Sequence, residues 1–185
     1  NNSCGLHSLV YGSVREHILE IDALLSDGSE TTFKELNKEE FLNKLNGNPN
    51  QQEKAIYSNI NDLLSDEKNR EEIRKNFPEP ELTRRNMGYA IDELMYADPF
   101  TDGGGKFNFC KLLAGSEGTL AFSTRIKLNV IPLPPKYKGL VCAHFETLEE
   151  SLHANLVALK YKPTAIELMD DPVMQAAKQN IEQAK

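Results

Sequence analysis

Residues 120–130 alternate apolar and polar side chains and then run into three prolines. Leu120, Phe122, Ile126, Leu128 and Val130 fall on one face of a period-two pattern, with Ser123, Arg125, Lys127 and Asn129 on the other. That period belongs to a β-strand with one face turned to a core. Pro132, Pro134 and Pro135 have no N–H to donate, so a ladder cannot continue through them. A subdomain boundary is expected there, and any fold for this chain must place a sheet before it.

Upstream, residues 18–26 (ILEIDALLS) are apolar and partly alternating, and they end at Asp27-Gly28. Asp-Gly is a tight-turn signal, which predicts a strand, a turn and a short return through Thr31 to Phe33. Residues 1–13, rich in small and turn-forming side chains, read as ordered loop. Thr32-Phe33-Lys34-Glu35 has capping-box spacing and predicts a helix carrying Leu36, Phe41, Leu42 and Leu45, closed by Gly47. Ile56, Ile60, Leu63 and Leu64 predict a second helix. Residues 71–77 predict a third, ended by Pro78 and Pro80. This charged stretch, about residues 34–80, reads as a helical insertion forming a solvated outer layer on a β-rich body.

Beyond the prolines, residues 140–145 predict a strand, Thr147 and Glu150 a capping box, and Leu148, Leu152, Leu156 and Leu159 a helical stripe. Residues 165–169 predict another strand, and Pro172 opens a last helix. A strand–helix–strand unit of this size needs more chain to close a sheet. The chain also begins without methionine, inside a loop, so a piece of a longer protein is expected.

With 28 acidic against 21 basic residues the net charge is −7, which argues against a nucleic-acid partner. No apolar run approaches the ~18 residues of a membrane span, nor does the N-terminus read as a signal peptide. Cys4, Cys110 and Cys142 are few and widely spaced, so a disulfide framework is not expected and a reducing, cytoplasmic setting is.

Several catalytic motifs fail. Gly103-Gly104-Gly105-Lys106 resembles the end of a phosphate loop, but Phe107 replaces the Ser/Thr and Phe100 the leading glycine, leaving a flexible surface loop. Gly115-Ser116-Glu117-Gly118 lacks the nucleophile-elbow spacing. Cys4 and His7 make half a zinc motif without a second pair, and His17, His144 and His153 are scattered, so no metal site is expected. His144 reads as a packed or surface histidine. Two segments stand out, residues 1–13 and 111–124, where small residues alternate with short hydroxyl and amide groups. Such backbone can approach an anion or a flat cofactor closely, or can simply make tight turns between strands.

The order of these elements resembles a known family. A small-polar loop, Tyr11-Gly12-Ser13, an apolar strand and an Asp-Gly turn come first. Residues 112–120 (LLAGSEGTL) then precede an alternating strand and Pro132-Leu133-Pro134. This resembles the FAD-linked oxidases of vanillyl-alcohol-oxidase type, which include glycolate oxidase subunits and D-lactate and D-2-hydroxyglutarate dehydrogenases. Asn1-Asn2-Ser3-Cys4-Gly5, the helical insertion, and Thr83-Arg84-Arg85-Asn86-Met87-Gly88-Tyr89 most resemble long members with a C-terminal iron–sulfur domain.

The resemblance implies an α+β fold. Residues 1–135 would be the second subdomain of a PCMH-type FAD-binding domain, with an antiparallel or mixed sheet. Residues 136–185 would open a ferredoxin-like cap domain with its first strand–helix–strand. It implies that Asn1, Asn2, Ser3, Cys4 and Gly5 line the flavin and pyrophosphate, with Tyr11, Gly12 and Ser13 shaping the exit. Gly115, Glu117, Gly118, Thr119 and Phe122 would run past the adenine and ribose, and Gly88-Tyr89 would lie nearby or in subdomain packing. The parent would pass a hydride from a 2-hydroxy acid to FAD and its electrons to a further acceptor, in long members through an iron–sulfur cluster. Catalytic residues are expected outside this chain. Alternatively the chain is a non-catalytic FAD-domain remnant or interaction module.

Overall fold

The computed structural model describes residues 2–79, 81–82, 85 and 88–180. Asn1, and Thr83, Arg84, Asn86 and Met87 of the 83–89 motif, lie outside the described residues. The chain divides into two compact units, Asn1–Ile131 and Pro132–Lys185.

The first unit opens with two single helical turns, α1 (Ser8–Tyr11) and α2 (Val14–His17), where loop was expected up to Ser13. Ser13 and Glu16 form a capping box that starts α2 despite its shortness. β1 (Ile18–Leu24) and β2 (Glu30–Lys34) follow as a hairpin turned at Asp27-Gly28. Gly28 takes φ 81°, a conformation glycine adopts without a side-chain clash. Three helices come next: α3 (Lys38–Asn46), α4 (Gln51–Ser65) and α5 (Glu67–Asn76). The Thr32/Glu35 capping box does not form, because both residues belong to the hairpin region and Thr32 pairs with Asp22. The helix is capped instead by Asn37 and Glu40, five residues on, and Gly47 ends it as expected.

Two short helices, α6 (Ile91–Met95) and α7 (Cys110–Leu113), lead to β3 (Phe122–Leu128). β3 completes an antiparallel three-stranded sheet in the order β2-β1-β3. The sheet is therefore antiparallel throughout, and β3 is an edge strand. Its apolar face is not buried: Phe122 is 69% exposed, and Ile126 and Leu128 are half exposed. On the opposite face Arg125 pairs with Asp22 and with Glu20, so charge as well as backbone holds β3 to β1.

Residues 34–79 are mostly exposed or half-buried, while a few large apolar side chains of α3–α5 enter the core. Phe41, Tyr57, Leu64 and Ile73 of α3–α5 are buried against Ile21 and Phe33 of the hairpin. Phe41 meets Phe107 at 4.7 Å, Tyr57 meets Phe109 at 4.8 Å, and Phe33 meets Phe109 at 5.4 Å, in tilted or edge-on pairs. A few large anchors suffice to make a highly charged helix part of a core. The Gly103-Gly104-Gly105 segment is likewise a pinned turn, not a flexible loop. Asp98 N–H donates to Gly105 O at 2.7 Å, and a Cβ on Gly104 would stand 2.3 Å from Tyr96 O.

The second unit holds α8 (Leu148–Leu159), with the expected Thr147/Glu150 capping box, and α9 (Asp171–Gln179), capped by Asp170 with Pro172 in its first turn. The two strands expected at 140–145 and 165–169 are not formed. A strand exists by its hydrogen-bonded neighbour, and neither segment has one among the described residues. Leu148, Leu152 and Leu156 are more than half exposed.

Candidate functional site

Residues 3–13 fold back along the start of β1 and wall an open groove of about 380 Å³. Ser3, Cys4, Gly5, Tyr11, Gly12 and Ser13, all singled out in the sequence, line it together with His7, Ser8 and His17, and with Leu128 and Ile131 at the end of β3. His17 ties the wall together. Its Nε2 lies 2.6 Å from Tyr11 O, and a carbonyl only accepts, so Nε2 carries the proton. Nδ1 then accepts from Asn129 Nδ2 at 3.3 Å, while Asn129 N–H donates to His17 O at 2.7 Å.

The Ser13 hydroxyl is already engaged, donating to Glu16 Oε2 at 2.6 Å alongside its own N–H. Burial raises the Glu16 carboxyl, but these bonds from Ser13 outweigh it and hold it below the usual carboxylate range. Two buried donors are left over in this loop: among the described residues Asn2 Nδ2 and Ser8 Oγ have no hydrogen-bond partner.

The second set of residues forms a separate corner. Gly115, Glu117 and Gly118 all have positive φ (94°, 54° and 79°), producing a tight turn at which Ser116 N–H donates to Leu113 O and Thr119 N–H to Ser116 O. The Thr119 hydroxyl donates to Ser116 O at 2.6 Å, so in its contact with Tyr89 it is the Tyr89 hydroxyl that donates. Glu117, Gly118 and Thr119 are exposed. Phe122 pairs with Leu24, whereas Leu128 pairs with Ile18. Six residues of strand put Phe122 roughly 20 Å from the groove. The sequence-predicted residues therefore occupy two places, the groove and the 115–119 corner, with Phe122 beyond the latter.

What joins the two places is Arg15, a residue that sequence reasoning missed. It is 2% exposed. Its backbone N–H donates to Asn2 Oδ1 at 2.8 Å, beneath the groove loop. Its guanidinium donates through Nε to Lys111 O at 2.8 Å, and through Nη2 to Ala114 O at 2.7 Å and Gly88 O at 2.9 Å. Burial lowers the Arg15 pKa, while Glu93, Glu16 and Asp92 push back. Beside it, Arg85 and Asp92 form a buried ion pair, and Glu93 stands 3.7 Å from Arg85. Nothing local in the sequence marks Arg15, because its carbonyl partners lie more than seventy residues away. The nearest local signal is the Ser13-x-x-Glu16 capping spacing, which points to the start of α2 and not to Arg15.

A second cleft, of about 410 Å³, lies between α5 and α6, lined in part by Arg74, Asp92 and Tyr96. It contains none of the sequence-predicted residues. Among the described residues no group of three His, Cys, Asp or Glu side chains converges as a metal site, and no helix is long and apolar enough to cross a membrane.

The chain is similar to the D-2-hydroxyglutarate dehydrogenases of Haemophilus influenzae (27% identical over 181 residues), Escherichia coli (29% over 180) and Pseudomonas putida (28% over 180). Each comparison covers 97% of this chain. The chain spans only 16–17% of the length of these curated relatives. No protein-family model and no solved structure matches it. Its distant homologues are thus, by name, dehydrogenases of a 2-hydroxy acid.

Proposed function

We propose that this chain is part of an FAD-dependent oxidoreductase that oxidises a 2-hydroxy acid. The observation that carries the reading is similarity along 97% of the chain to proteins named D-2-hydroxyglutarate dehydrogenase. In this reading residues 1–135 contribute the later part of an FAD-binding domain and residues 136–185 open a cap domain. Catalytic groups and any iron–sulfur ligands belong to other parts of the parent protein.

The donor set on this chain fits such a cofactor. The groove wall carries Gly5 and Gly12, where no side chain projects, and a planar ring can approach such backbone closely. Asn2 Nδ2 and Ser8 Oγ are buried donors without partners in the same loop. The exposed turn at Glu117, Gly118 and Thr119 offers backbone at its surface for the far end of a dinucleotide. When bound, FAD would supply the hydride acceptor. This chain's share is to bind and orient it: Asn2 and residues 3–5 against the flavin and pyrophosphate, Tyr11 at the exit, and residues 115–119 with Tyr89 toward the adenosine.

The test uses the full-length protein that carries this chain, purified with its flavin and kept anaerobic. Bleaching of the flavin absorbance by D-2-hydroxyglutarate, D-lactate or glycolate supports the reading. A flavoprotein bleached by none of the 2-hydroxy acids overturns the substrate class, and a full-length protein that takes up no FAD overturns the reading as a whole.

A further inference from the structure

We infer that Arg15 is a positioning residue that sets the groove loop and the 115–119 turn at a fixed separation, so that one extended ligand can engage both. The inference rests on the FAD reading for the identity of that ligand, but the clamp is a property of the chain itself. Arg15 is the second residue of α2, the single turn that leads into β1. Its backbone N–H holds the Asn2 carboxamide, and its side chain reaches four carbonyls on two other segments, Arg85 O, Gly88 O, Lys111 O and Ala114 O. Lys111 and Ala114 span the end of α7, a single turn whose last carbonyls have no helical partner of their own. Ala114 directly precedes Gly115, the first positive-φ residue of the turn.

Only a guanidinium meets this geometry. Its planar fork presents five N–H donors in fixed directions, whereas a lysine ammonium offers three from one point. A charged donor to carbonyls makes bonds stronger than neutral ones. Asn2 is held by the Arg15 backbone N–H, and Lys111 and Ala114 by the guanidinium of the same residue. Without its guanidinium bonds Arg15 can shift, and the backbone N–H that holds Asn2 shifts with it, so both places loosen together and a ligand that bridges them loses part of its prearranged site.

The decisive variant is Arg15→Lys, with Leu64→Ala as control, since Leu64 is fully buried in α4, an element that belongs to neither loop. In hydrogen exchange on the 185-residue chain, Arg15→Lys is expected to speed exchange about tenfold in residues 2–12 and 111–119 together, as local opening costs less. Leu64→Ala should leave these two segments no faster than the rest of the first unit. In the full-length protein Arg15→Lys should raise the Kd for FAD roughly tenfold, a loss that Leu64→Ala at equal loss of thermal stability does not share. Asn2→Ala, a milder variant, should free residues 2–12 while 111–119 stay protected. The inference is overturned if Arg15→Lys loosens neither segment or only one, or if Leu64→Ala reproduces its pattern. Should the wild-type full-length protein take up no FAD, the function proposed above fails while the exchange experiment still decides the clamp.

Discussion

Lys44 Nζ lies 2.8 Å from the buried carboxylate of Glu53, and that one carboxylate joins the hairpin to two helices. It also accepts from the Thr31 hydroxyl at 2.5 Å and from Asn48 Nδ2 at 2.5 Å. Burial alone would raise the Glu53 pKa, but the bonds from Lys44, Thr31 and Asn48 outweigh it and hold it below its ordinary value. A carboxyl with a depressed folded-state pKa stabilises the fold above its unfolded value, and that stability is lost as pH falls through the folded value. Urea midpoints taken from neutral to acid pH should therefore fall more steeply for the wild type than for Glu53→Gln. At neutral pH the substitution should cost about 1–2 kcal/mol, the usual range for weakening bonds to a buried charged group. Equal acid slopes in the two proteins would remove Glu53 from this role.

Neighbouring glycines in one turn should respond oppositely to alanine. A Cβ on Gly104 would meet Tyr96 O at 2.3 Å and Ala97 C at 2.8 Å, both backbone atoms that cannot swing aside. At Gly105 there is nothing within 4 Å, and its φ is not positive. Gly104→Ala should destabilise the first unit by about 2–3 kcal/mol, at the upper end of ordinary single substitutions, and Gly105→Ala by less than about 0.5 kcal/mol. Thermal unfolding of the pair reads the difference directly.

The same turn shows what could and could not be read in advance. Features encoded within four residues were legible: the Asp27-Gly28 hairpin, the Thr147/Glu150 box and the Pro172 helix start all form. Two capping spacings competed near the start of α3, Thr32/Glu35 and Asn37/Glu40. Pairing of Thr32 with Asp22 across the hairpin decided between them, which is a tertiary outcome. Phe41 and Leu64 stood out as apolar positions on their helices, whereas the burial of Tyr57 comes from its aromatic partners Phe41 and Phe109, which lie far away in sequence. Edge position explains β3: its alternation is real, but Phe122, Ile126 and Leu128 are at least half exposed. At the candidate site, the small-residue segments were visible as composition, whereas Arg15 joins residues 2, 88, 111 and 114 only after folding.

The three thiols should titrate as distinct classes. Cys142 is exposed, Cys4 partly so, and Cys110 buried, where its Sγ donates to Phe33 O at 3.3 Å. Burial pushes the Cys110 thiol up to about 12, so almost none is thiolate at neutral pH. A disulfide reagent added to the native chain should consume Cys142 first, Cys4 more slowly, and Cys110 only on unfolding. Prompt modification of all three in native conditions would contradict the packing around α7.

Two serines of the same loop should part company on truncation. Ser13 Oγ donates to Glu16 at 2.6 Å within the capping box of α2, so Ser13→Ala removes a cap and a charge-assisted bond. A loss of about 1 kcal/mol is expected, the usual worth of such a cap. Ser8 Oγ is buried and has no partner, so its hydroxyl is desolvated for no return in the free chain. Ser8→Ala should leave stability unchanged or raise it by a few tenths of a kcal/mol, about the relief expected when an unpaired buried polar group is deleted. Denaturant midpoints of the two variants against the wild type measure both signs. If Ser8→Ala instead costs as much as Ser13→Ala, its hydroxyl has a partner in solution, and the Ser8 wall of the groove is wetter than its geometry implies.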